Sequence, residues 1–98
     1  MATFIATVRF TAKGLAEIQD TCKRAAAFKA TARKLGAKIT NTYWTVGRFD
    51  GVLIFEAPDD ETASAAMVHL AAQGRVQTQT ARAFTAAEME KVLAATGK

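Results

Sequence analysis

The sequence holds one cysteine (Cys22), one histidine (His69), one proline (Pro58) and no long uncharged apolar run. A single thiol excludes an internal disulfide and suits a reducing compartment. Met1-Ala-Thr-Phe-Ile5 lacks the basic, then apolar, make-up of an export signal, so a cytoplasmic location is expected. One His and one Cys are too few to close a zinc site, and neither His-x-x-x-His nor Cys-x-x-Cys occurs. No metal and no cofactor is expected. No segment approaches the roughly 18 apolar residues of a membrane helix. Glycine-rich phosphate loops, serine-centred elbows and paired-carboxylate signatures are also missing, so no catalytic residue is assigned.

What is present is ordinary globular material: 98 residues, half of them apolar and 22% charged. That supports one domain, 1–98, with one core and no cleft between domains of its own. The net charge of +4 is unevenly spread, because residues 1–38 carry eight basic groups against only Glu17 and Asp20. Such a patch can attract nucleic acid. No aromatic residue is interleaved as a base-stacking platform, so a solvated helix face is the better reading and nucleic acid is not the expected partner.

Residues 3–10 alternate with period two, putting Phe4, Ala6, Val8 and Phe10 on one face and Ile5, Thr7 and Arg9 on the other. Residues 11–15 read as a loop. A helix is expected from Ala16 to Leu35, with Ile18, Cys22, Ala25, Phe28, Ala32 and Leu35 as its apolar stripe and Gly36 as its C-terminal cap. On that stripe Cys22 is a small buried hydrophobe. The stretch Thr42–Glu56 holds the only Trp and Tyr and reads as a hairpin, with strands Lys38–Val46 and Gly51–Ala57 around a tight turn. Pro58 ends it and Asp59 caps a second helix, whose stripe includes Ala63, Ala66, Met67 and Leu70, with His69 on its flank. Arg75–Phe84 is a fourth strand. Thr85 to Glu88 forms a capping box for a short last helix bearing Met89, Val92 and Leu93.

The order β-α-β-β-α-β with an extra C-terminal helix predicts an α+β, ferredoxin-like fold: a four-stranded antiparallel sheet with two helices on one face. The other face then carries large apolar groups that solvent would not favour. A second copy of the chain is the expected cover, as a homodimer or higher homo-oligomer with sheets face to face.

Asp20-Thr-x-Lys-Arg24, Leu35-Gly-Ala-Lys-Ile39, Tyr43-Trp-Thr-Val-Gly-Arg-Phe-Asp50 and Glu56-Ala-Pro-Asp-Asp60 together resemble the GYD-domain family, small bacterial and archaeal proteins of about this length. The resemblance implies the dimeric α+β barrel and little about chemistry. Phe49 stands where the family's eponymous Tyr is expected, which removes any role for that phenol. From the residues themselves, Arg9, Tyr43, Trp44 and Arg82 are expected to converge on the covered sheet face, with Arg48 and Asp50 at the hairpin turn. A positive, aromatic-lined cavity there suits a small organic or carboxylate-bearing molecule. For Asp50 the simpler role is to accept hydrogen bonds from backbone amides of its own turn. The leading expectation is therefore an oligomeric small-molecule-binding module. The alternatives are a cofactor-independent oxygenase or isomerase, by fold analogy alone, and nucleic-acid or acidic-partner binding through the basic first helix.

Overall fold

A computed structural model of the chain describes residues 1–97. The alternating start forms strand β1 (Ala2–Phe10), with Phe4, Ala6 and Val8 buried and Ile5 and Arg9 exposed. Thr11 then caps a short helix α1 (Ala12–Ala16), its hydroxyl accepting from the Gly14 amide at 3.2 Å. A single 3-10 turn, Ile18–Asp20, leads into helix α2 (Thr21–Leu35). There follow β2 (Lys38–Trp44), β3 (Gly51–Ala57), α3 (Asp60–Ala72), β4 (Val76–Ala83) and α4 (Ala86–Ala95).

The end of α2 and the starts of α3 and α4 lie where the sequence puts them. Gly36 ends α2 with φ 99°, a left-handed conformation that costs glycine little. The Asp59 side chain accepts from the Thr62 amide at 2.8 Å and opens α3. Thr85 and Glu88 exchange both capping-box bonds at the head of α4.

The strands form one antiparallel sheet in the order β2-β3-β1-β4, with α2 and α3 packed on one face. This is the ferredoxin-like arrangement with an added C-terminal helix. Phe4 and Phe55 stack at its centre, their ring centroids 5.3 Å apart. Ala6, Ala32, Ala57 and Ala66 are wholly buried around them. Methyl-sized side chains on the facing surfaces let the helices lie close to the sheet.

Three expectations need correction. The loop expected at 11–15 contains α1, because Thr11 supplies an N-cap and Gly14 packs where a Cβ would overlap the Arg75 carbonyl oxygen. Helix α2 therefore begins only at Thr21, and its phase is set by the buried Phe28 and Ala32. Cys22 falls roughly 120° round the helix from Phe28, so it is exposed and not buried. Finally, β2 ends at Trp44, two residues before the expected Val46, and carries a bulge between Ile39 and Asn41.

Candidate functional site

The bulge decides which hairpin residues share a face. Before it, Ile39 pairs with Phe55 on the helix side; after it, Asn41 pairs with Ile54 and Tyr43 with Val52 on the open side. A β-bulge places two residues against one and reverses the alternation, which no hydrophobic pattern reveals. Tyr43 therefore stands on the open face, where its phenol oxygen accepts from the Asn41 amide at 3.2 Å. Trp44 points to the helix side, and its indole N–H donates to the Thr21 hydroxyl at 3.1 Å.

The six expected site residues do not converge. Arg9 and Tyr43 lie on the open face. Arg82 pairs with Phe4, so it falls on the opposite, helix-bearing face. There its guanidinium lies 5.8 Å from the Phe4 ring centroid and 4.5 Å from that of Phe84. It also donates to the Thr3 and Ala83 carbonyls and pairs with Glu88 at 3.8 Å. Arg82 thus clamps the root of α4. Arg48 is exposed at the turn. Asp50 does serve a backbone amide, but a distant one: its carboxylate accepts from Phe10 N–H at 2.8 Å, while its own N–H donates to Val8 O. That pair of bonds joins the hairpin to the end of β1. Removing a charged acceptor from a half-buried amide is the costly case for a hydrogen bond.

On the open face, Ile5, Val52 and Ile54 form the centre, bordered by Thr3, Thr7, Tyr43 and Gln79. Among the described residues, no element of the chain covers them. Helix α4 has no buried residue, and Phe84, Met89, Val92 and Leu93 are exposed with it.

The other face holds a cavity of about 260 Å³ between the sheet and helices α2 and α3. Val8, Phe28, Ile39, Leu53, Leu70 and Val76 contribute its apolar wall. Thr21, Arg24, Thr31, Thr42, Trp44, Asp50, Gln73 and Arg75 also line it, as does the exposed His69. Three contacts from the α1 region fix one side of this rim: Thr11 N–H donates to Arg75 O, Thr11 Oγ1 to Gly74 O, and Lys13 Nζ to Gln73 O. Glu17 then gathers two cations. Arg75 Nε donates to Glu17 Oε1 at 2.7 Å, and Arg24 Nη1 lies 3.8 Å from the same oxygen. Arg24 Nη2 also donates to Glu17 O at 2.7 Å. Sequence reasoning finds none of Glu17, Arg24 and Arg75 as a group. Fifty-eight residues separate Glu17 from Arg75, and no spacing rule links them.

The hydrogen bond from Arg75 holds the Glu17 carboxyl below its ordinary range. Bonds from Thr62 do the same for Asp59, and the Thr85 amide does so for Glu88. A carboxyl whose folded pKa is depressed adds stability above its unfolded pKa, and that contribution is lost as pH falls through the folded value. The thermal midpoint, followed by circular dichroism, should fall steadily between about pH 5 and about pH 3. A midpoint flat across that window would show these contacts to be silent in solution.

Among the described residues no helix is long and apolar enough to cross a membrane. The sequence model of the GYD domain matches residues 4–93. A curated relative from Thermus thermophilus, named "Glutamine synthetase and cystathionine beta-lyase binding protein", is 37% identical over 57 residues. That match takes in 58% of this chain and 60% of the relative, so the chain spans less than two thirds of that protein. Among solved structures, MtbAldR superposes with a TM-score of 0.64 at 18% identity, over 86% of this chain and 52% of that one. TTHA0845, also from Thermus thermophilus, gives 0.56 at 22% identity, over 88% and 96%. At such identities the two structures speak for the fold alone. With nearly its whole length matched by the family model, this chain is a member of the GYD-domain family.

Proposed function

We propose that the chain is a bacterial, cytoplasmic binding module that works as a homodimer joined through the open sheet face. The observation that carries this reading is the uncovered row of Ile5, Val52 and Ile54 at the centre of that face. Two such faces related by a two-fold axis bury each other's apolar centres while leaving the threonine and glutamine borders wet. The exposed stripe of Met89, Val92 and Leu93 on α4 gives each copy a second apolar surface to lay on its partner. Arg9 and Tyr43 then stand at the inter-sheet space, where they suit a small organic or carboxylate ligand. Arg48, at the exposed turn, is a further polar group at the edge of that space.

A second reading is favoured by the Thermus relative, whose name makes it a binding protein for two enzymes. Here the dimer would present its surface to other proteins in a regulatory role. Catalysis of the oxygenase or isomerase kind rests on fold analogy alone, which does not carry function. Sedimentation equilibrium across the micromolar range tests the central claim. A dimer is expected. A stable monomer at all concentrations removes the interface and the ligand space that depends on it.

A further inference from the structure

The cavity beneath the helices lies on the side of the sheet away from the proposed dimer contact, although Tyr43 and Val52 of the open face also border it. We propose that it is a separate binding site for a small monocarboxylic acid with an apolar body, held within one subunit. Its size sets the first limit. A dry cavity of about 150 Å³ lined by apolar side chains takes a benzene ring, so about 260 Å³ has room for a ring with a short chain. The wall of Val8, Phe28, Ile39, Leu53, Leu70 and Val76 offers that body no hydrogen-bonding group from its side chains.

The rim sets the chemistry. Glu17 collects the guanidiniums of Arg24 and Arg75 about one carboxylate oxygen, which leaves this cluster with one positive charge in excess. Arg75 spends only its Nε on Glu17, and its two terminal nitrogens bond to no other described residue. Arg75 lines the cavity, and two such nitrogens are a planar pair of donors of the kind a carboxylate accepts side by side. Both guanidiniums are held: Arg24 by the Glu17 carbonyl, and Arg75 by the Glu17 carboxylate, with its backbone fixed by Thr11. Such pre-positioning spares a ligand part of the cost of ordering the site. Asp50 also borders the cavity, but its carboxylate is engaged by the Phe10 amide. It favours a single anionic group placed at the arginine side over a ligand with negative charge at both ends.

Trp44, the only tryptophan, lines this cavity and makes binding visible without a label. Phenylacetate is the probe, 2-phenylethanol its neutral counterpart of similar shape, and the full chain is titrated with each while indole fluorescence is recorded. Saturable change with phenylacetate is expected, at least tenfold weaker with 2-phenylethanol. Arg24→Gln and Arg75→Gln should each weaken phenylacetate binding at least tenfold, with Arg75→Lys recovering part of it. Ala25→Phe fills the rim from α2 without adding a second indole and should abolish binding in a variant whose circular dichroism stays native. Both arginines also hold Glu17, so the circular dichroism of each variant is recorded with its titration, and either variant that folds as the native chain decides the point. Non-saturable change, equal affinity for the alcohol, or unaltered binding in Arg24→Gln each overturns the proposal. Since the site lies within one subunit, binding should persist in dilute or monomeric protein, which separates its fate from that of the proposed dimer.

Discussion

Replacing Phe55 by alanine is expected to cost about 3–5 kcal/mol, the usual penalty for deleting a fully buried aromatic ring. Phe55 has no exposed surface, sits mid-strand in β3 between β2 and β1, and stacks on Phe4. The surrounding alanines have no side-chain reach with which to fill the space, so relaxation is limited. For a domain near this size each kcal/mol moves the melting temperature by roughly 4–8 °C. The variant should therefore melt at least ~12 °C lower, by calorimetry or circular dichroism, with the urea midpoint moving in parallel. Leu15→Ala, at a position 58% exposed on α1, serves as the reference and should change stability by less than about 0.5 kcal/mol. Comparable losses in the two variants would mean that the core does not lie where the stacked pair places it. Phe4→Ala combined with Phe55→Ala should fall short of the sum of the two, because each single change already breaks the same stack.

Ile54→Lys is expected to convert the proposed dimer into a folded monomer. Within one chain Ile54 is half-buried in the open face, beside Ile5 and Asn41, and a lysine there can lie along the sheet with its ammonium in water. Across a two-fold interface the same change brings two like charges into the apolar centre, and Glu56, the carboxylate two residues on, already faces Lys38. A penalty of about 3 kcal/mol corresponds to a dissociation constant roughly a hundredfold higher. Circular dichroism should remain native while sedimentation shows the smaller species. A folded variant that stays dimeric would place the interface elsewhere, with the α4 stripe the next surface to test.

Much of the architecture is legible in the residues. The period-two run at Phe4–Phe10, Gly36 after Leu35, and the Thr85–Glu88 pair each state a local rule, and the structure obeys each one. The bounds expected for the hairpin's second strand, Gly51 and Ala57, are those it has. Local rules fail where a neighbour distant in the chain settles the outcome. Residues 11–15 read as a loop because glycine lowers helix propensity, yet Gly14 is what lets α1 pack against Arg75. Counting a stripe back from Leu35 through a helix that in fact starts at Thr21 puts Cys22 on the wrong side. The candidate site departs furthest from expectation. The bulge between Ile39 and Asn41 sends Tyr43 and Trp44 to opposite faces, and strand pairing puts Arg82 opposite Phe4.

Taken alone, the sequence determined the order of the four strands and of the three longer helices, the caps at Gly36, Asp59 and Thr85, and the face of β1 that would be buried, because these depend on neighbours within a few positions. Tertiary structure decided the phase of α2, the face of each aromatic in β2, and the meeting of Glu17, Arg24 and Arg75 at one cavity. Each of those rests on pairing between segments far apart in the chain. A single residue's slip in register reverses a strand's faces, while a charge pair across 58 positions leaves no periodic trace.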